Sequence, residues 1–262
     1  MLRTISTVFL ALIVASPALA DVTIKQTTSG KGLGLSGTMN GTTFIKGMKM
    51  RTDTVTGDTI RTTVFDLEAQ KMYAFDSKKK EADVWDMQAF GEELSKSVDA
   101  SQMKASLTEN GKSKEIAGKT ASGYDMEVTV PAAIGGNKEM TMNVVLTGPV
   151  WIVKGAPGTE DYAGFYKAAL ERGWIFSDPR AAKASPGQAK TMAEMYRKFA
   201  ETGGVAYETE MQIKLSGGGP MAALMSRMGG MSSTSTVQSV ETGTLADDLF
   251  APPAGYKLKP QK

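Results

Sequence analysis

Methionine, aromatic and carboxylate side chains are the groups through which this chain could do chemistry, because its 262 residues include 17 methionines but neither histidine nor cysteine. Those two absences exclude Ser-His-Asp and Cys-His nucleophiles, histidine-bound zinc and histidine-ligated haem. General acid–base work would fall to Asp, Glu, Lys or Tyr. The acids that invite such a reading, Asp53, Asp58, Glu81, Asp83 and Asp86, fall at expected strand and turn positions, where carboxylates are ordinarily solvated. Nothing in their spacing pairs two of them as a glycosidase requires. Neither Gly30-Lys31-Gly32-Leu33-Gly34 nor Gly217-Gly218-Gly219 runs into the Lys-Ser/Thr step and helix of a phosphate loop. Met221, Met225 and Met228 share one face of a short helix with Leu224, and Met231 follows. Thioethers bind Cu(I), which makes copper conceivable, but no histidine or cysteine supports the cluster, and a packing or lid helix is the preferred reading. No metal or other cofactor is expected.

A second set of methionines, Met48, Met50, Met126, Met140, Met142 and Met211, falls at inward strand positions. Unbranched thioethers fill an ordinary core and also make an adaptable wall for a flexible apolar ligand. The candidate cavity wall is Met50, Trp85, Met126, Met142, Trp151, Tyr207 and Met211. The candidate gate is Met221, Leu224, Met225 and Met228, hinged at Gly217–Gly219 and Gly229-Gly230.

Positioning that wall falls to short strands with period-two alternation. Val22–Thr28 opens the series. Thr42–Thr54 and Thr59–Leu67 read as a hairpin about Thr56-Gly57-Asp58, and Lys71–Phe75 and Glu81–Trp85 as another. Met103–Glu109 and Lys112–Ile116 flank Asn110-Gly111, a strong hairpin signal. Tyr124–Val130 alternates with Tyr124, Met126 and Val128 on one face, and Met140–Val153 is a long strand with a possible bend at Gly148-Pro149. Val205–Leu215 and Thr234–Glu241 close the list. Met87–Val98 reads as a helix with Met87, Phe90, Leu94 and Val98 on one stripe. Two further helices interrupt the strands. The first spans Thr159–Arg172, with Thr159 as N-cap and Tyr162, Phe165, Tyr166, Ala169 and Leu170 as its stripe. The second spans Pro186–Thr202, with Ser185 as cap and Ala189, Met192, Met195, Tyr196 and Phe199 as its stripe. One-face alternation suits an antiparallel sheet, and late amphipathic helices suit its cover. The predicted class is therefore α+β: one strongly curved antiparallel sheet, an open half-barrel, with helices packed on the concave face.

Residues 1–20 read as a cleavable signal peptide: Arg3, an apolar run from Val8 to Ala15, and the Ala18-Leu19-Ala20 cleavage pattern. The run is too short to span a membrane. Asp21 would be the mature N-terminus, and the periplasm the compartment. Residues 21–262 are expected to form a single domain with a helical insertion at about 155–203 and a Gly/Met-rich segment at 216–233. The net charge of +2 is too small for a nucleic-acid footprint.

Three pieces resemble periplasmic proteins akin to the lipoprotein carriers LolA and LolB. They are Gly47-Met48-Lys49-Met50-Arg51-Thr52-Asp53 with Ile60–Leu67 after it, Ile116-Ala117-Gly118-Lys119 leading to Tyr124–Val128, and Leu249-Phe250-Ala251-Pro252-Pro253-Ala254-Gly255-Tyr256-Lys257. The resemblance implies a half-barrel enclosing an apolar cavity and a non-enzymatic carrier of a lipid or other hydrophobic small molecule. The Gly/Met-rich segment departs from the carriers. The alternative is a structural or partner-binding envelope protein whose helices fill its own core, and a histidine-free enzyme is a third reading.

Overall fold

The computed structural model describes residues 21–31, 37–97, 103–134, 137–172, 178–184, 186–216 and 231–261. The expected signal peptide, Val98, Ser185 and the gate residues Met221, Leu224, Met225 and Met228 lie outside the described residues. So do the side chains of Met140 and Met142.

Six strands run as an antiparallel meander: β1 (Asp21–Lys31), β2 (Gly37–Lys46), β3 (Lys49–Thr56), β4 (Thr59–Asp66), β5 (Lys71–Asp76) and β6 (Glu81–Asp86). Helix α1 (Met87–Ser97) follows, capped by the Asp86 carboxylate, which accepts the Ala89 N–H at 2.9 Å. A second meander holds β7 (Lys104–Ile116), β8 (Lys119–Ile134) and β9 (Asn137–Lys154). Helices α2 (Thr159–Glu171), α3 (Pro179–Ala184) and α4 (Pro186–Glu201) then intervene before β10 (Gly204–Ser216) and β11 (Met231–Gly243). A 3-10 turn at Asp247–Phe250 leads to β12 (Lys257–Pro260).

The strands form one sheet in the order β12-β6-β5-β4-β3-β2-β1-β11-β10-β9-β8-β7. The two meanders join where β11 returns to pair with β1. The sheet is antiparallel except for β12, which lies parallel to β6. Strands β7 and β12 are its two edges, so it does not close. Among the described residues no helix is long and apolar enough to cross a membrane.

Several local expectations are corrected. The predicted strand Thr42–Thr54 is a hairpin, turning at Gly47-Met48 between β2 and β3. Asn110-Gly111 makes no hairpin. It sits inside β7, where the register with β8 slips between Glu109 and Ser113. Asn110 accepts the Lys112 N–H at 3.1 Å and donates to Asp125 at 3.0 Å, so the pair anchors an irregularity rather than a turn. The chain reverses later, at Ala117-Gly118, where φ is +48° and +70°, the positive pair a tight hairpin turn requires. Helix α2 is capped by Gly158, not Thr159, whose hydroxyl instead donates to the Ala156 carbonyl at 2.6 Å. Helix α3 and strand β12 were not expected.

Two buried clusters tie the helices to the sheet. In one, Tyr162, Phe165, Tyr166 and Ala169 of α2 pack with Val22, Ile24, Ile45, Met50 and Tyr207. In the other, Met195 and Phe199 of α4 pack with Tyr124, Met126, Val128, Leu146 and Val150. A third joins Phe250 of the C-terminal segment to Val64, Phe75 and Ala82. These three lie on the opposite side of β4–β6 from Phe65 and Met72, since neighbours along a strand alternate faces.

Candidate functional site: a cavity between the helices and the sheet

Register alone builds the sheet wall of the site. Residues two apart on a strand share a face, and paired residues continue that face onto the next strand. One rung across β1–β6 reads Val22, Ile45, Met50, Phe65, Met72 and Trp85, none more than 4% exposed. One step along the strands, the rung reads Ile24, Thr43, Thr52, Thr63, Ala74 and Asp83. The next reads Gln26, Gly41, Thr54, Arg61 and Asp76. The same face thus passes from wholly apolar to hydroxyl-bearing and charged within four residues, about 13 Å of strand. Helices α1 and α2 close over the apolar rung. Over the polar rungs they leave a cavity of about 440 Å³.

Helix side chains form the facing wall. Tyr162 and Tyr166 of α2, and Met192, Met195, Tyr196 and Phe199 of α4, all line it. Their spacing of three and four residues places them on one helix face. The tyrosines are a continuous stack, with Tyr162 and Tyr166 centroids 4.6 Å apart and Tyr166 and Tyr196 at 4.9 Å, nearly parallel. Phe199 meets Tyr196 edge-on at 6.3 Å. Burial pushes all three phenols above their ordinary range, and the charge-repelling neighbour Tyr196 adds to the shift at Tyr162. The Tyr162 and Tyr166 hydroxyls are hydrogen-bonded to each other. Phenols held neutral in this way supply rings and hydrogen bonds, not bases.

Strands β10 and β11 complete the lining with Thr209, Met211, Ser233 and Ser235. At the far side, Arg61 and Asp178 contribute charge. Asp178 accepts the Arg180 guanidinium at 2.9 and 2.8 Å and its backbone N–H at 3.0 Å, capping α3. Burial pushes its carboxyl up, but the bonds from Arg180 outweigh that and hold it below the usual range.

Of the expected wall, Met50 and Met211 line the cavity. Trp85, Met126 and Tyr207 do not, because helix side chains already cover them. Trp85 is closed off beside Met87 and Phe90 of α1, Met126 beside Met195 and Phe199, and Tyr207 within the α2 cluster. Trp151 lies elsewhere, with the Lys114 ammonium 4.3 Å from its ring centroid and Lys114 paired to Glu208. Its buried indole N–H has no hydrogen-bond partner among the described residues. The side chain of Met142 is not described. Sequence reasoning missed the threonine wall, Arg61 and the tyrosine stack. The first had a signal: after Met50, the same face of β3 continues Thr52, Thr54, Thr56, which ends the apolar alternation.

No protein-family model and no curated protein sequence matches the chain. Among solved structures it is similar to PNGF-II, with a TM-score of 0.37 and 9% identity over 92% of this chain. It spans 31% of that longer chain. It is also similar to a domain assigned as an outer membrane lipoprotein-sorting protein from Vibrio parahaemolyticus, with a TM-score of 0.33 and 10% identity over 89% of this chain and 90% of that one. The latter is of the lipoprotein-sorting kind that the three sequence motifs resemble. At these TM-scores neither likeness carries an argument about what the chain binds.

Proposed function

We propose that the chain is an exported, non-enzymatic binding protein that holds a small amphipathic molecule in the cavity between its helices and an open half-barrel sheet. The observation that carries the reading is one cavity with two unlike walls. Rings and thioethers face it from α2 and α4, and the sheet faces it with hydroxyls interspersed with apolar side chains such as Met50, Phe65 and Met211. Its volume of about 440 Å³ lies in the range of small-molecule sites. Curvature follows from the same residues. Strands β4 and β10 are five strand spacings apart, about 24 Å along the sheet. Yet Arg61 and Met211 line one cavity. A sheet wrapping its concave face around α2 and α4 accounts for both.

In this reading residues 21–262 are one domain, with the helices of about 155–203 inserted between β9 and β10. Export to the periplasm rests on the leader-like residues 1–20, and Asp21 at the N-terminus of the mature protein, read by mass spectrometry, tests it. Burying about eight methylenes contributes roughly 6 kcal/mol, which corresponds to a Kd of tens of micromolar before ordering costs are subtracted.

The second reading, a self-filled envelope protein, has its own support in the apolar rung from Val22 to Trp85, which the helices already occupy. Titration of the mature protein with a fluorescent 12-carbon fatty acid separates the two. Saturable binding is expected, in the range of tens of micromolar or weaker, lost in Met211→Asp with far-UV circular dichroism unchanged. Absence of saturable binding in the wild type supports the self-filled protein instead.

A further inference from the structure

We infer that the cavity orients its ligand across the strands, and that the ligand is a single-chain amphiphile whose monoanionic carboxylate head sits at Arg61. This rests on the amphiphile reading above. Charge in the lining is confined to the β4 end, where Arg61 and Asp178 are the charged residues among those described. The opposite end is Met211, Met195 and Phe199, with Thr54 and Gln26 between. A ligand with its tail on the thioether side places its head over β4.

Of the charged pair, only Arg61 has donors to offer. Asp178 has both oxygens on Arg180. Asp76 stands directly across from Arg61 on β5, and its Oδ1 accepts the Lys78 and Lys79 N–H groups at 3.0 and 2.9 Å. The Arg61 side chain is exposed and forms no hydrogen bond or close ion pair among the described residues, and its charge acts on Asp178 at longer range. A guanidinium presents its donors in a planar fork that fits a carboxylate with two parallel bonds. The nearby Asp76 and Asp178 carboxylates add repulsion that grows with ligand charge, so a monoanion is preferred to a phosphate dianion.

The test is competition against the fluorescent fatty acid by dodecanoate, methyl dodecanoate, dodecyl phosphate and acetate, on wild type and Arg61→Gln. Dodecanoate should compete about tenfold better than its methyl ester with wild type, the scale of a charge-assisted bond. It should also compete better than dodecyl phosphate, and acetate should not compete at millimolar concentration. Arg61→Gln should bring acid and ester within about twofold while leaving the ester unchanged. Arg61→Lys, which keeps the charge but not the fork, should retain part of the preference. Because Arg61 is exposed and the one interaction the variants give up is its longer-range attraction to Asp178, they should melt close to wild type. Equal competition by acid and ester with wild type, or a preference that survives Arg61→Gln, overturns the head-group assignment while amphiphile binding stands. Tighter competition by dodecyl phosphate overturns the monoanion assignment. Failure of the fluorescent acid itself to bind overturns the amphiphile reading, and this inference with it.

Discussion

Replacing Arg51 by Leu should loosen the C-terminal segment and lower the melting temperature by about 4–8 °C. Arg51 makes two bonds to Asp53, at 2.8 and 2.9 Å, and a third to the Leu249 carbonyl at 3.0 Å. It thereby fastens the 3-10 turn that brings Phe250 over Val64 and Phe75. The side chains of Arg51 and Asp53 are only 17% and 18% exposed. An exposed ion pair contributes about 1 kcal/mol or less, and breaking a fully buried one costs roughly 3–5. With most of this pair shielded, and charged hydrogen bonds worth about 1.5–3 kcal/mol, the loss should be about 2 kcal/mol. For a chain of this size that is about 2–4 °C per kcal/mol. Asp53 would be left half-buried without its cation, although Thr62 still donates to it at 2.7 Å. Adding Asp53→Asn removes the orphaned charge and keeps that acceptor, so the double variant should recover about half of the loss. Thermal melts followed by circular dichroism give the stability. Hydrogen exchange gives the location: the amides of Leu249 and Tyr256, bonded within this segment, and of Lys257 and Gln261, which donate from it to the Lys80 and Val84 carbonyls, should exchange faster. A melting temperature within about 1 °C of wild type, with unchanged exchange there, would refute the latch.

Two glycines should respond in opposite ways. A Cβ at Gly148 would sit 1.7 Å from the Glu210 carbonyl oxygen, so Gly148→Ala must force β9 and β10 apart and should cost more than about 3 kcal/mol in a urea melt. Gly164 is on the open face of α2 with nothing within 4 Å, and Gly164→Ala should stabilise by about 0.5–1 kcal/mol. Tyr162, Tyr166 and Tyr196 should stay silent in a phenolate absorbance titration at pH 10–11, where exposed tyrosines ionise. Their protons leave the unfolded chain first, so the stability they confer is complete below the ordinary phenol pKa of about 10 and drains away above it. Ionisation of all seven tyrosines of the chain together, without unfolding, would contradict the buried stack.

The elements were largely legible because period-two and period-3.6 patterns report which face is buried. The stripes of α2 and α4 pack against the β strands that carry Tyr124, Met126, Tyr207 and Met211, as their spacing implies. Turn chemistry was the weaker guide. Asn110-Gly111 has the local preference for a hairpin, but pairing with β8 continues past it, and Ala117-Gly118 turns the chain instead. The short α3 and β12 carry no periodicity, and each exists through a distant partner: Asp83 faces Arg180 at 4.0 Å, and the Val84 carbonyl accepts the Gln261 N–H at 2.8 Å.

The sequence by itself determined the chemistry open to this protein, since a chain without histidine or cysteine lacks those groups in any fold. It also determined which residues avoid water, because alternation along a strand is local. Only the tertiary structure decided where empty space remains. Met50, Trp85, Met126 and Tyr207 are equally apolar in sequence and equally buried in the fold. Met50 borders a cavity while the other three are covered, because α1, α2 and α4 reach some rungs of the sheet and stop short of others. How far a helix reaches depends on strand register and on the connections between β9 and β10, and no residue type encodes that alone. The pairing of first and third sequence motifs, Arg51 to Leu249 across 198 residues, is of the same kind. Each motif is a short string until the sheet places one on the other.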